Sequence, residues 1–159
     1  MRLGSLTLVR YGRHEGLHLP LPPSTTDFHL IVGPNEAGKS TIRAAVADLL
    51  YGVPERAPQA YLHKADTRVA AELQHAQRGL SIERRKGRRQ TLFDPAGKSL
   101  ADALLQPFLG PTDRAYFEQM FGLDHQGLIR GGDQILSASG EVGQVLLESA
   151  SGIDSLGDT

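Results

Sequence analysis

The stretch Gly33-Pro34-Asn35-Glu36-Ala37-Gly38-Lys39-Ser40 decides the fold. It fits the phosphate-binding loop pattern G-x-x-x-x-G-K-[ST], in which backbone N–H groups and a lysine hold the phosphates of a nucleotide. The apolar run 28–32 before it predicts a buried strand, and residues 41–51 after it predict a helix with one apolar face. Gly52 is a typical helix end. Strand, glycine loop and helix are the context that the motif requires.

Each residue type in this loop suits the binding of phosphate. Gly33 and Gly38 permit a tight turn and a close approach of the backbone. We expect Lys39 to bridge the β- and γ-phosphates as the catalytic residue, and Ser40 to hold Mg²⁺ through its hydroxyl. The predicted cofactors are therefore ATP and Mg²⁺. The predicted nucleotide-binding residues are Gly33, Pro34, Asn35, Glu36, Ala37, Gly38, Lys39, Ser40 and Thr41.

A second G-K-S sequence, Gly97-Lys98-Ser99, lies downstream. Leu92 stands where the motif needs its first glycine, and the four residues Asp94-Pro95-Ala96-Gly97 are typical of a turn. This segment therefore predicts a turn between two elements and no second phosphate site.

The composition of the chain narrows the class of protein. The 159 residues, 40% of them hydrophobic, suggest one domain with a core. The absence of cysteine excludes disulfides and thiolate metal sites. No apolar run has the length of a membrane span, and residues 1–10 lack the apolar stretch of a signal peptide. These features predict a cytoplasmic location and no membrane partner.

Charge is distributed unevenly along the chain. Residues 1–110 carry 15 basic and 10 acidic side chains, whereas residues 111–159 carry 2 basic and 8 acidic ones. The basic excess centres on the run 84–89, which could contact DNA phosphates. Because no aromatic residues alternate with these charges as a stacking surface would require, we favour a hairpin with residues 86–88 at its tip and its charges in solvent.

Strands are predicted mainly in the first two thirds of the chain. Residues 2–9 form the first, and the alternation of Leu17, Leu19 and Leu21 predicts a second after a turn. Three further segments predict an antiparallel meander, namely 67–75, 80–85 and 90–93.

Helical patterns follow the strands. From residue 99 onward the apolar stripe is Leu100, Ala103, Leu104 and Phe108. Helices are also predicted over 113–121, with Asp113 near the start, and over 142–149. Only one strand–helix crossover is visible, although a complete phosphate-loop ATPase has several.

The acidic residue that such enzymes place at the end of an apolar strand is not evident either. Asp94 precedes Pro95 in a turn, and Glu148 lies in a helical pattern. The six histidines are scattered, so we predict no histidine metal site.

Three blocks of sequence together resemble a known family. These are Leu6-Thr7-Leu8-Val9-Arg10-Tyr11-Gly12, the loop 33–41 and Met120-Phe121-Gly122-Leu123-Asp124-His125. They resemble the N-terminal head segment of YhaN-type ATPases, which are similar to the SbcC-type and SMC-type ATPases of DNA repair and chromosome maintenance.

The resemblance implies an α/β fold of the P-loop NTPase class, with an ABC/SMC-type head. Residues 1–159 would be its N-terminal part, with mixed and antiparallel strands around one Walker A strand–helix unit. Residues 1–110 would form the nucleotide-binding lobe, and 111–159 a helical segment leading toward a coiled coil. In such proteins the rest of the head, with the signature motif and the acidic strand end, lies beyond that coil. The resemblance therefore accounts for the missing crossovers and for the missing acidic strand end.

Further site residues follow from the resemblance. Asn35 would approach the γ-phosphate. Related ATPases carry a glutamine that senses Mg²⁺ in the block after Phe117. In this chain Asp124, His125 and Gln126 are all candidates for that position. Gln126 has the suitable chemistry and is, after Ser40, the second metal candidate. Arg10 would either lie near the nucleotide or be a solvent-facing strand end.

The resemblance implies ATP binding and, with the remainder of the head, ATP hydrolysis in DNA repair or DNA metabolism. The implied partners are a second head in a homodimer, DNA and a nuclease subunit. Two alternatives stay open. One is a P-loop small-molecule kinase, with residues 84–89 as its lid. The other is a non-catalytic interaction domain that only binds nucleotide.

Overall fold

The structure is a computed structural model that describes residues 1–122 and 127–129. The chain divides into two compact units, Met1–Phe117 and Glu118–Thr159. The predicted helix 142–149 and the candidates Asp124, His125 and Gln126 lie outside the described residues.

A six-stranded sheet lies in the first unit, and each strand pairs antiparallel with its neighbours. Its order is β2-β1-β3-β4-β5-β6. The bounds are β1 Arg2–Tyr11, β2 His14–Pro20, β3 Arg68–His75, β4 Arg78–Arg85, β5 Leu92–Phe93 and β6 Ser99–Leu100. The predicted first hairpin and the predicted meander are thus confirmed, with β6 as an additional strand.

Alternation in β1 sets the register of the sheet. Leu6 lies opposite Leu19 on β2 and Ala71 on β3, and Leu8 lies opposite Leu17. Leu6 and Leu8 are fully buried, because successive side chains of a strand point to opposite faces and these two share the core face.

The long helix α1, Lys39–Tyr51, packs against β1, β3 and β4. Its buried face carries Ile42, Ala45 and Leu49, as the sequence predicts. Gly52 ends the helix with a φ of 96°, and its N–H donates to Asp48 O. Each fully buried leucine contributes roughly 1.5–3 kcal/mol through removal of apolar surface from water, so the apolar face holds α1 on the sheet.

The remaining helices are short. Three 3₁₀ turns cover Pro58–Ala60, Lys64–Asp66 and Asp102–Leu105, followed by α2, Gln106–Leu109, and α3, Arg114–Met120. The prediction of α3 is confirmed, and Asp113 Oδ1 accepts the N–H of Tyr116 at 2.8 Å, as an N-cap does. In the described residues no helix is long and apolar enough to cross a bilayer.

The predicted helical stripe from residue 99 is confirmed only in part: residues 102–109 are helical and Phe108 packs on the core, but the start and the buried leucine differ. Ser99–Leu100 pairs with β5 instead, and the following turn buries Leu105 while Leu104 stays exposed. A 3₁₀ turn has three residues per turn and not 3.6, so a stripe read at α-helical spacing selects the wrong leucine.

The predicted buried strand over 28–32 is also absent from the structure, and with it the strand of the Walker A unit. These residues form no regular element, and Phe28 and Val32 are 74% and 78% exposed. A strand needs neighbours for its backbone hydrogen bonds, and the six strands of the described sheet pair only with one another. The described pairings are therefore all antiparallel, and not mixed as expected.

Candidate functional site

The loop 33–38 connects the irregular segment to α1 through a tight turn. The N–H of Ala37 donates to Pro34 O at 3.2 Å, and a Cβ added at Gly33 would lie 3.1 Å from Ala37 Cβ. Two residues adopt positive φ values, Glu36 at 63° and Gly38 at 96°. Gly38 directly precedes the helix, and this position favours glycine because residues with a side chain rarely adopt such a φ angle.

The start of α1, next to this loop, carries backbone N–H groups that can donate hydrogen bonds. Ile42 N–H donates to Gly38 O at 3.0 Å, so the N–H groups of Lys39, Ser40 and Thr41 precede that helical bond. No side chain caps this end of the helix. Since the N-terminus of a thirteen-residue helix also carries a partial positive charge, it favours an anion.

Lys39 folds back over the loop. Its Nζ donates to Gly33 O and to Pro34 O, each at 2.7 Å. The ammonium group is thus held beside the loop and the helix start by two carbonyls, while its side chain remains exposed. The lysine and the first backbone N–H groups of α1 therefore belong to the same short stretch, residues 39–41.

A cleft of about 350 Å³ lies against the loop. Six of the nine predicted nucleotide-binding residues line it: Asn35, Glu36, Gly38, Lys39, Ser40 and Thr41. Gly33 and Pro34 contribute the carbonyls that accept from Lys39. The volume of the cleft lies within the range of about 300–1,000 Å³ that is common for ligand pockets.

Four lining residues were not predicted from the sequence as site residues, namely Gly12, Arg13, Gln59 and Tyr61. Gly12 and Arg13 form the turn between β1 and β2, whereas Gln59 and Tyr61 belong to the segment after α1. The N–H of Gly12 donates to Gln59 O at 2.8 Å and joins the two segments. The sequence shows a tyrosine in a Pro- and Ala-containing loop, and its exposure is known from the structure.

The β1–β2 turn and the start of β2 pack closely on the loop 33–38 and the start of α1. A Cβ at Gly12 would lie 2.7 Å from Thr41 Cγ2, and a Cβ at Gly38 would overlap with His14 Nε2. His14 Nε2 is buried and has no hydrogen-bond partner among the described residues. Burial, followed by the charge of Arg13, lowers the pKa of His14. His14 is therefore in contact with the loop as a neutral imidazole at pH 7.

We expect Gly38→Ala to disrupt the loop, because the new methyl group meets His14 and the φ of 96° disfavours any side chain. Such strain costs roughly 1–3 kcal/mol. Urea unfolding and ATP titration of the variant should show lower stability and weaker binding. Gly97→Ala is the matched control, with a φ of 83°, open space around it and the same following residues, Lys and Ser. Equal ATP binding by the two variants would contradict the expectation.

The pH dependence of stability should report on His14. Because its pKa is lowered in the folded chain, the unfolded chain binds more protons below about pH 6.5, the ordinary value for histidine. The free energy of unfolding is therefore lost as the pH falls from about 7 through that lowered pKa. Urea unfolding at several pH values should show a smaller loss for His14→Gln than for the unaltered chain. An identical pH profile would show that His14 does not cause the loss of stability at lower pH.

Arg10 takes part in a surface charge cluster. It pairs with Asp66, and its Nε lies 4.0 Å from Glu15 Oε1. Hydrogen bonding to Arg10 is the main cause that lowers the pKa of Asp66. Arg10 is not among the residues that line the cleft, so the structure favours the strand-end interpretation of this residue.

The basic run 84–89 forms the predicted hairpin, but its charges are not all in solvent as expected. Arg84 is buried, with its guanidinium bound to Leu49 O, Leu50 O, Thr91 Oγ1 and Asp102. Arg85 lies over the ring of Phe93 at 4.1 Å, and Arg88 pairs with Glu55 at 2.6 Å. Arg88 and Arg89 are exposed as expected, and the expectation is wrong for Arg84, whose partners in α1 and at Asp102 come from distant segments of the chain.

A second set of buried polar contacts joins α1 to β1. Tyr11 donates to Asp48 Oδ2 at 2.6 Å, and Arg114 donates to Asp48 Oδ1 at 2.7 Å. Burial, with the Asp48 charge second, raises the pKa of Tyr11. These contacts fix α1, and with it the helix start at Lys39, relative to the sheet.

Comparison with known proteins gives the family. A model described as "AAA domain" matches residues 1–159. The chain is also 30% identical over 132 residues to a protein of Bacillus subtilis (strain 168) described as "Uncharacterized protein YhaN". That match covers 80% of this chain and 13% of the relative. The chain therefore belongs to the AAA domain family, of which it is a YhaN-type segment.

Proposed function

We propose that this chain is the nucleotide-binding part of an ATPase and that the loop 33–41 binds ATP with Mg²⁺. The observation that carries the proposal is the convergence of Lys39 and the start of α1 on one cleft beside the loop. Membership of the AAA domain family supports nucleotide binding and ATPase activity in general. The cytoplasm is the location that we propose with it.

Within this site we assign roles by chemistry. The N–H groups at the start of α1 would bind phosphate oxygens, and Lys39 would exchange its two carbonyl partners for the β- and γ-phosphates. Asn35 lines the same cleft and would approach the γ-phosphate. Ser40 would hold Mg²⁺, which when bound supplies positive charge against the phosphates. Catalysis would then rest on positioning and charge stabilisation.

Hydrolysis in this proposal needs groups beyond those of the described residues. The relative is much longer than the region matched, since the match covers 13% of it. We propose that another part of a longer protein supplies the acidic strand end. We also propose that the exposed run 28–32 becomes the Walker A strand when strands from that part pair with it. Its exposed apolar side chains are consistent with such pairing.

The proposed partners follow the same reasoning. Two heads would enclose ATP as a homodimer, and the dimer would act on DNA or with a nuclease subunit. These partners rest on the resemblance to SbcC-type and SMC-type ATPases and remain part of the proposal.

Phosphate release by the full-length protein tests the function. We expect turnover of ATP in the presence of Mg²⁺ that increases when DNA is added. Transfer of the γ-phosphate to a small acceptor without any effect of DNA would point instead to a small-molecule kinase. Binding of ATP without turnover would leave a nucleotide-binding interaction domain.

A further inference from the structure

The cleft contains an aromatic side chain that the phosphate-binding argument does not use. Tyr61 lines it together with Asn35, Lys39 and Ser40. Tyr61 is 62% exposed, although the preceding residue, Ala60, is buried. A large ring that the fold leaves in solvent, at the edge of a ligand cleft, is available to contact a ligand.

The backbone next to Tyr61 is held in place by contacts within the chain. Gly12 N–H donates to Gln59 O at 2.8 Å, and Ala60 N–H donates to Ala57 O at 3.0 Å. Pro58 restricts the start of the 3₁₀ turn, and the buried Ala60 fixes its end. Since the segment is already ordered, a ligand that contacts the ring has little backbone entropy to lose on binding.

A nucleotide presents two kinds of surface to this cleft. Its phosphates require N–H groups and positive charge, which the loop and Lys39 supply. Its base is a flat aromatic ring, which stacks favourably on an aromatic side chain whatever the identity of the base. Among the residues that line the cleft, Tyr61 is the aromatic one, and Arg13 adds a planar cation.

We propose that Tyr61 is the stacking residue for the base of the bound nucleoside triphosphate. This proposal rests on the proposed function, because it assumes that the phosphates occupy the loop. Its consequence is that the site distinguishes a nucleoside triphosphate from an inorganic polyphosphate of equal charge. The phosphate loop alone cannot make that distinction.

The test compares ATP with inorganic tripolyphosphate, which has the phosphates but no base. Calorimetric titrations use the full-length protein with Mg²⁺. We expect Tyr61→Ala to weaken ATP binding by roughly tenfold, the lower part of the range for loss of one stacked base, and to leave tripolyphosphate binding unchanged. Tyr61→Phe keeps the ring and should bind ATP like the unaltered protein.

Leu62→Ala is the matched control, because Leu62 is 56% exposed and adjacent to Tyr61 but is not among the residues that line the cleft. It should bind both ligands normally. Unchanged ATP binding by Tyr61→Ala would overturn the inference, and so would an equal loss for both ligands, which would indicate a disturbed loop. If the unaltered protein bound tripolyphosphate but bound ATP no better, the base contact would fail while the phosphate site stood. Binding of neither ligand would overturn the proposed function as well.

Discussion

Lys39→Ala should weaken ATP binding by the full-length protein at least about 100-fold. Hydrogen bonds to charged groups contribute roughly 1.5–3 kcal/mol each, and Lys39 would make them to two phosphates. In the structure its Nζ lies 2.7 Å from two loop carbonyls, so the ammonium group is held next to the loop. Calorimetric titration with ATP and Mg²⁺ measures the loss directly.

Lys98→Ala is the control for this experiment. Lys98 is an exposed lysine in the other G-K-S sequence, where Asp94 to Gly97 forms the predicted turn, with Gly97 N–H donating to Asp94 O at 3.0 Å. It should bind ATP like the unaltered protein. Unchanged affinity in Lys39→Ala would mean that the loop does not hold the phosphates.

Arg84→Ala is expected to cause the largest loss of stability, about 2–5 kcal/mol in the free energy of unfolding, because each buried carbonyl left without a donor costs about 1–3 kcal/mol. Arg84 is 1% exposed, and its guanidinium joins β4 to the carbonyls of Leu49 and Leu50 in the last turn of α1. Its removal leaves these buried acceptors without their donor. The orientation of α1 then loses one of its supports, although Arg84 lies outside the cleft. Urea unfolding of this chain gives the change.

Two variants make the Arg84 experiment specific. Arg89→Ala removes an exposed charge from the same run and should change stability by less than about 0.5 kcal/mol. Arg84→Lys keeps the charge but loses the planar fork, so it should recover only part of the stability. Similar losses for Arg84→Ala and Arg89→Ala would show that the run is a solvated surface, as the sequence alone suggested.

Local patterns predicted the elements that local contacts determine. The alternation in β1 and β2, the meander and the apolar face of α1 all follow from side chains that repeat along one segment. The run 28–32 shows the limit of such patterns. Its composition suits a buried strand, but a strand exists only where neighbours satisfy its backbone, and the sheet of the described residues offers none.

The site was predictable where a motif carries it and not where distant segments meet. The loop 33–41 stands in the sequence as one continuous pattern. The contribution of Gln59 and Tyr61 to the cleft depends on a hydrogen bond from Gly12, 47 positions earlier than Gln59. Arg84 likewise looks like part of a surface charge run until its partners in α1 are known. Neither long-range contact leaves a periodic signal.

The central claim is that the loop 33–41 and the start of α1 bind a nucleoside triphosphate. Calorimetric titration of the unaltered full-length protein with ATP and Mg²⁺ tests it most directly. We predict one site per chain with a dissociation constant between about 1 μM and 1 mM, the range in which enzymes commonly hold their substrates. No binding at ATP concentrations well above that range would contradict the account.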